Sequence, residues 1–148
     1  IAEEHLATNT IRNAVNYLGV TLERKNYKEN SYLLCLALSG DEHDLPLIMT
    51  KQILQLNGIP VINCGRNTPA NSIKKLIKKF QPDKIIVSLT YIENKQLAKN
   101  ELKHLFNIAS DYDVKIYVGG SNFSHLSKTQ YNKANILYSM NDVSRILS

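Results

Sequence analysis

Short apolar runs alternate with amphipathic segments along most of this chain. The apolar runs have the length of buried strands, and they cover residues 32–38, 59–63, 84–89, 114–118 and 135–138. Around them, apolar residues recur at the three- and four-residue spacing of a helix that faces a core. That spacing predicts helices at 1–24, 45–57, 69–80, 94–110 and 142–147.

Strands that alternate with helices form a parallel sheet, because each right-handed crossover lays a helix on one face. Five strands in so short a chain favour a flavodoxin-like order, 2-1-3-4-5. The predicted fold class is therefore α/β, a doubly wound five-stranded parallel sheet. Its strand order reverses between the first and third strands, and ligands bind at such a switch point.

Local signals refine the helices. Apolar spacing assigns the first helix an inner face of Leu6, Ile11, Val15 and Leu18. It assigns the fourth an inner face of Leu97, Leu102, Leu105 and Ile108. Gly19 is the expected stop of the first helix, and residues 25–31 form a polar linker. Thr68 and Pro69 suit the N-cap and first position of the third helix.

Composition adds constraints on size and location. The 148 residues, 43% hydrophobic, are enough for one domain with its own core. Cys35 and Cys64 lie within apolar runs, so both are expected to be buried free thiols. No stretch approaches the ~20 apolar residues of a membrane span, and no signal peptide is recognisable, which predicts a cytoplasmic protein. The chain opens inside a helical pattern, so we expect a partner domain upstream.

The net charge of +5 is mild, and its densest cluster is Lys74, Lys75, Lys78 and Lys79. These lysines alternate with apolar residues at helical spacing. They are interpreted as the solvated face of an amphipathic helix rather than as a nucleic-acid site.

Three polar stretches follow the first, third and fourth predicted strands: Asp41-Glu42-His43, Ser88-Leu89-Thr90 and Gly119-Gly120. The carboxyl ends of parallel strands meet at one edge, so these stretches should converge there. The acidic first loop would repel a flavin phosphate. Ser88 occupies the position where a receiver domain needs its phospho-accepting aspartate. The sequence has neither the G-x-G-x-x-G motif of a dinucleotide site nor the nucleophile elbow of a hydrolase.

His43 is the candidate ligand of a cation at this edge. A neutral imidazole is the commonest metal ligand, and Asp41 could orient its second nitrogen. One histidine cannot hold a free metal ion, so a ligating His43 implies a metal carried in a macrocycle. The alternative is that His43 only caps or solvates the helix that begins near Leu45.

The spacing of the three stretches resembles the signature of the cobalamin-binding domain family, D-x-H-x-x-G, then S-x-L, then G-G. In this chain 41 residues, 47–87, separate the first two elements. A further 28 residues, 91–118, precede the glycine pair. Pro46 replaces the last glycine of the first element, and Thr90 replaces the leucine of the second.

The resemblance implies a role for each residue. His43 would be the lower axial ligand of cobalt, and Asp41 and Ser88 would form a hydrogen-bond relay behind it. The displaced nucleotide tail of the cofactor would pass Ser88 and Thr90. Gly119 and Gly120 would let the backbone approach that tail closely.

The first helix resembles the segment that precedes the cobalamin fold in MerR-type, light-responsive regulators. Glu4-His5 would contribute to the adenosyl side, and the loop 65–69 also resembles that family. Residues 1–30 would then be the C-terminal part of a helical-bundle cap, and residues 31–148 the cobalamin-binding domain.

This resemblance implies a sensor rather than an enzyme. Adenosylcobalamin, or another cobalamin, would control homo-oligomerisation and DNA binding by an upstream helix-turn-helix domain, with no membrane partner. Two alternatives stay open. One is a corrinoid carrier module that serves a methyltransferase or a mutase, and the other is a cobalamin fold used only for protein interaction.

Overall fold

The computed structural model describes residues 1–22, 32–123 and 132–146. The helices of these residues are α1 (Ala2–Thr21), α2 (Leu45–Leu56), α3 (Ala70–Phe80), α4 (Lys95–Asp111) and α5 (Met140–Arg145). The strands are β1 (Leu33–Leu38), β2 (Val61–Thr68), β3 (Lys84–Ser88), β4 (Lys115–Gly119) and β5 (Asn135–Leu137). Strands and helices therefore alternate from β1 to β4, as the apolar pattern predicts, and β5 and α5 follow.

The five strands form one parallel sheet in the order β2-β1-β3-β4-β5, which confirms the flavodoxin-like prediction. All six residues of β1 are buried, as expected for a central strand covered on both faces. Ser88 at the end of β3 lies opposite Ala37 of β1 and Gly119 of β4. The carboxyl ends of these three strands are therefore level, and the loops that follow them meet.

Helices cover both faces of the sheet. On one face, α3 and α4 bury Ile73, Ile77 and Leu105 against strand residues. On the other, α2 and α5 bury Leu47 and Val143. Helix α1 lies against α2. Burial of these apolar side chains is the main stabilising contribution to the fold.

Strand β2 is longer than predicted and replaces the expected turn at 65–69. It runs to Thr68 through Gly65, whose φ of +92° accompanies shifts in its register against β1. The predicted N-cap of α3 is wrong, because Thr68 ends the strand and Pro69 occupies the N-cap position. The Thr68 hydroxyl instead donates to Gly65 O at 3.1 Å, within the irregular end of β2. Glycine at the bulge permits a backbone turn that the sequence pattern alone did not reveal.

The predicted inner face of α1 is also wrong. Leu6, Ile11 and Leu18 are exposed, Val15 is half-buried, and Gly19 is the buried residue of this helix. The helix continues past Gly19 to Thr21. The predicted linker at 25–31 lies outside the described residues. Apolar spacing identified a face that needs covering, but the described chain does not cover it.

Two other side chains depart from the predictions. Leu97, expected on the inner face of α4, is 39% exposed, whereas the other three residues of that face are buried. Cys35 is buried, and Cys64 on β2 is only half-buried. Burial raises the pKa of the Cys35 thiol to about 12, with a smaller contribution from the nearby Cys64. Burial also raises the pKa of Cys64, to about 11.

Candidate functional site

The carboxylate of Asp41 joins the loops that follow β1 and β3. It lies directly after β1 and is 3% exposed. Its Oδ1 accepts hydrogen bonds from the backbone N–H of His43 at 3.0 Å and from His43 Nδ1 at 2.9 Å. Its Oδ2 accepts from the backbone N–H of Thr90 at 2.7 Å and of Tyr91 at 3.3 Å. A buried carboxylate is stable only when such donors replace water, so this arrangement fixes both loops.

The far end of β2 supports the same loop from behind. Asn67, in the left-handed region at φ 50°, donates its N–H to Asp41 O at 3.0 Å. Its side-chain oxygen accepts from Gly40 N at 2.9 Å. Arg66 forms an ion pair with Glu42, Nε to Oε2, at 3.3 Å. Sequence reasoning missed Arg66 and Asn67 as parts of the site, although their polar run directly after the apolar part of β2 was a usable signal.

His43 presents one ring nitrogen to Asp41 and the other to the outside. Because an ionised Asp41 can only accept, Nδ1 is the donor of their hydrogen bond, which leaves Nε2 with its lone pair. The side chain is 47% exposed, and among the described residues none bonds to Nε2. The Tyr91 ring lies beside it, with the ring centroids 5.9 Å apart. This is the geometry of a metal-ligating histidine with an orienting carboxylate.

A cavity of about 400 Å³ opens between the carboxyl ends of β3 and β4 and helices α2 and α5. Its wall is mainly apolar, with Leu47, Ile86 and Val143 among the lining residues. Ser88 and Thr90 line it as well, and their hydroxyl oxygens are 3.0 Å apart. Its volume and its apolar wall with few hydroxyls are typical of a small-molecule site.

The two glycines after β4 form part of the same wall. Gly120 has a φ of +114°, and a Cβ there would lie 2.4 Å from Leu89 O. A Cβ on Gly119 would lie 3.3 Å from Leu137. The glycine pair therefore lies close to other parts of this chain, and its predicted approach to a cofactor tail stays a prediction. Glycine at 120 allows the loops after β3 and β4 to touch and leaves the cavity open.

The predicted relay between Asp41 and Ser88 is not present as a direct bond. Within the described residues, the Ser88 hydroxyl pairs with Thr90, and it is the backbone of Thr90 that bonds to Asp41. Thr90 therefore links the two groups. Pro46, the other departure from the signature, lies in the first turn of α2 and lines the cavity.

Glu4 and His5 lie in the exposed first turns of α1, away from the Asp41 cluster. Further along α1, Arg12 pairs with Asp44 at 2.5 Å, and Gly19 lies against Gln52. These two contacts follow the same direction on both helices, so α1 runs parallel to α2. Residues before Arg12 therefore project past the carboxyl edge of the sheet, with His5 about 10 Å beyond Arg12 along the axis.

The described residues contain no group of three or more His, Cys, Asp or Glu side chains that could hold a metal ion. His43 could therefore bind a metal only if other atoms already held it. Across residues 1–22, 32–123 and 132–146, no helix is both long and apolar enough to cross a membrane.

Comparison with known proteins identifies the domain. The family model of the B12 binding domain matches residues 33–137. No curated protein matches this chain. The monomethylamine corrinoid protein of Methanosarcina barkeri is similar in structure over 99% of this chain and 70% of its own, with 17% identity and a TM-score of 0.78.

Two further solved structures share the fold. The methanol:cobalamin methyltransferase complex of Methanosarcina barkeri matches 81% of this chain, with 18% identity and a TM-score of 0.66, and this chain spans 46% of its length. A cobalamin-binding protein of Desulfitobacterium hafniense matches 95% of this chain and 66% of its own, with 18% identity and a TM-score of 0.65. At such identities the likeness concerns the fold.

Proposed function

We propose that this chain, which belongs to the B12-binding domain family, is the cobalamin-sensing module of a transcriptional regulator. Its cofactor is a cobalamin, as the family match indicates. The observation that supports the site is the arrangement of His43, whose Nδ1 is held by the buried carboxylate of Asp41 while Nε2 stays free at the carboxyl edge.

His43 would hold cobalt from below. Donation of the Nδ1 proton to Asp41 fixes the tautomer and increases the basicity of Nε2, which strengthens it as a ligand. Asp41 is itself fixed by the backbone of Thr90 and Tyr91, so the ring has a defined orientation before the cofactor arrives. Preorganisation of this kind lowers the entropic cost of binding.

The cavity would take the displaced nucleotide tail. Its apolar wall suits the flat base, while the hydroxyls of Ser88 and Thr90 can bond to polar atoms of the tail. Gly120 lets the loops after β3 and β4 touch at the edge of this cavity. These residues fit a cobalamin bound with its own base displaced by His43.

Helix α1 would report on the upper side of the cofactor. Glu4 and His5 project past the edge where His43 lies, and we propose that they contact the cofactor on the side away from His43. Adenosylcobalamin, when bound, supplies a cobalt–carbon bond that light can break. The protein contributes binding and orientation, and the packing of α1 would depend on what occupies the upper side.

A change in that packing would alter homo-oligomerisation, and with it DNA binding by an upstream helix-turn-helix domain. The ligand would favour one assembly by its differential affinity for it. The similarity of residues 65–69 to the corresponding segment of MerR-type regulators supports this choice. In this chain Arg66 and Asn67 of that segment contact the loop that carries His43.

A corrinoid carrier module is the second candidate. It is favoured by the solved structures of similar fold, one of which is a methanol:cobalamin methyltransferase complex. A carrier would use the same His43 and the same cavity, but it would dock onto a methyltransferase. In either role we propose that catalysis is not carried by side chains of this chain.

Size-exclusion chromatography with adenosylcobalamin, in the dark and after illumination, distinguishes the sensor from the carrier. A sensor should change its elution volume with light, and His5→Ala should weaken the change, while His104→Ala on the distant α4 should not. A carrier should bind cobalamin with the same elution volume in both conditions. Failure to bind cobalamin would instead favour a fold used only for protein interaction.

A further inference from the structure

A buried hydroxyl, that of Thr50 on α2, lines the cavity and has only a weak hydrogen-bond partner. Thr50 is 4% exposed. Among the described residues, the partner of its Oγ1 is Met140 Sδ, at 4.0 Å. A thioether sulfur is a weak acceptor, whereas a buried hydroxyl normally bonds to oxygen or nitrogen. Elsewhere in the cavity, by contrast, the hydroxyls of Ser88 and Thr90 bond to each other.

The hydroxyl of Thr50 does not use the backbone of its own helix either. Threonine in a helix commonly donates to the carbonyl four residues earlier, as Thr10 of α1 does to Leu6 O at 2.9 Å. Within the described part of the chain, no such bond joins Thr50 to Pro46 O, and the contact of its Oγ1 is with α5. The hydroxyl is therefore available to an acceptor that enters the cavity.

Thr50 lies deep in the cavity. The mouth is at the carboxyl edge of the sheet, where the lining residue Tyr138 is 75% exposed. Helix α2 begins at that edge and runs away from it, because it joins β1 to the parallel strand β2. Pro46 in its first turn and Thr50 both line the cavity, about 6 Å apart along the axis. On β3, Ser88 and Ile86 line it over a similar depth of about 6.6 Å. We call the end near Thr50 and Ile86 the floor.

We propose that Thr50 selects the lower base, which ends the nucleotide tail of the corrinoid. It favours a base that carries a hydrogen-bonding atom on the ring edge remote from the ribose. This inference rests on the proposed function, which places the tail in the cavity. Ribose and phosphate link the base to the corrin outside, so they stay toward the mouth. The remote edge of the base is then the part that reaches the floor.

Corrinoids differ in chemistry at that edge. In cobalamin the base is dimethylbenzimidazole, whose remote edge carries two methyl groups that neither donate nor accept. In a hydroxybenzimidazolyl cobamide, a phenolic oxygen takes the place of a methyl group and can accept from Thr50. A buried hydroxyl beside methyl groups loses its bonds to water without replacement, whereas a polar edge restores one. Cobalamin binds in this site, and the hydroxylated cobamide gains one further hydrogen bond.

Replacement of Thr50 by valine separates this role from packing. Valine has nearly the shape of threonine but no hydroxyl, so Thr50→Val keeps the wall of the cavity filled. Because the hydroxyl has only a sulfur partner, its removal should leave the unfolding midpoint unchanged or raise it. A residue needed only for packing would not change the preference between two cobamides.

Separate titrations of the 148-residue chain with cobalamin and with hydroxybenzimidazolyl cobamide, both in the adenosyl form and in the dark, test the inference. The visible spectrum reports displacement of the lower base. The two cobamides differ in how readily they release that base, but this difference is the same for every variant. The informative quantity is therefore the ratio of the two affinities, compared between variants.

Thr50→Val should shift that ratio roughly three- to tenfold toward cobalamin, which is the range for one hydrogen bond. Thr50→Ala removes the same hydroxyl and should shift the ratio in the same direction, whereas Thr50→Ser should keep the wild-type ratio. Thr21→Val is the matched control, because Thr21 is exposed near the end of α1 and its hydroxyl bonds to Tyr17 O.

Two results would overturn the inference: a ratio that Thr50→Val leaves unchanged, and an equal shift in Thr21→Val. Ser88→Ala, nearer the mouth, should weaken both cobamides alike, so a change of ratio in that variant as large as in Thr50→Val would also count against the assignment. Failure of the proposed function has a different outcome, since the wild type would then bind neither cobamide. Binding of both with an unaltered ratio in Thr50→Val would refute only the role of Thr50.

Discussion

The loop after β1 and helix α1 both bring polar side chains to the carboxyl edge of the sheet, but they are held very differently. Asp41 in the loop is 3% exposed, and four N–H groups converge on its carboxylate. In α1 the buried residue is Gly19, and the ion pair of Arg12 with Asp44 links the helix to the rest. The loop after β1 is held by buried hydrogen bonds, whereas α1 is held by fewer buried contacts.

This difference separates the two sides of the proposed cofactor site. The chain orients the lower ligand, His43, with its own buried hydrogen bonds. On the upper side, Leu6 of α1 is 69% exposed, and Leu18, which lies further along α1 beside α2, is 49% exposed. Apolar side chains at that exposure need a cover, so we expect α1 to gain order from an additional element or from the cofactor. Under the proposed function, the sensing region would then be the weakly held one, as a switch requires.

The largest loss of stability should come from adding a side chain at Gly120, where the backbone meets Leu89 beside the cavity. In Gly120→Ala, the new Cβ would meet the backbone of Leu89 at a φ disfavoured for alanine, at a cost of about 4 kcal/mol in unfolding free energy. Gly65→Ala is the control, because it has a similar φ but no atom within 4 Å. It should cost only about 1 to 2 kcal/mol. Equal losses in urea denaturation would mean that the contact with Leu89 does not matter.

Asp41→Asn should have the next largest effect. The amide would place its NH₂ group against N–H donors and leave buried groups unpaired, which should cost about 3 kcal/mol. Glu42→Gln, in the same loop but exposed, should change stability by less than about 0.5 kcal/mol. Similar midpoints for the two variants would contradict the central role of Asp41.

Arg12→Ala should have a smaller and local effect. Loss of the partly exposed pair with Asp44 should loosen α1 by about 1 kcal/mol. Hydrogen exchange should then accelerate in α1 amides, while those of β1 keep their protection. Acceleration in β1 as well would show that α1 is part of the main cooperative unit and not a separately docked helix.

At neutral pH the buried thiol should have the smallest effect, because it leaves the free energy of unfolding unchanged there. Burial raises the pKa of Cys35 from 9.0 to about 12, so the unfolded chain releases this proton first. Stability should be unaffected below about pH 9 and should fall as the pH rises from 9 toward 12. Cys35→Ala should show a shallower fall. An identical pH profile would mean that Cys35 is not the group responsible.

The sequence predicted what depends on local pattern. Alternation of strands and helices predicted the strand order, and the polar stretches after three strands predicted the edge where Asp41, His43 and Ser88 lie. It did not predict the extension of β2 to Thr68, because a bulge at Gly65 depends on pairing with β1. For the same reason it missed Asn67, whose contacts to the Asp41 loop join residues distant along the chain.

Side-chain partners were the least predictable part of the site. The spacing placed Ser88 near Asp41, but the Ser88 hydroxyl pairs with Thr90, a residue that departs from the family signature. The buried face expected in α1 failed for a different reason. Apolar periodicity indicates a face that can be buried but not what covers it, and the described chain contains no cover for Leu6 or Leu18.

The most direct test of the central claim is the visible spectrum of bound adenosylcobalamin in the dark, for the wild type, His43→Ala and His104→Ala. We predict a histidine-ligated, base-displaced spectrum for the wild type and His104→Ala. His43→Ala should lose that ligation while its unfolding midpoint stays close to the wild-type value. An unchanged spectrum in His43→Ala would show that another group binds below the cobalt and would contradict the assignment of His43.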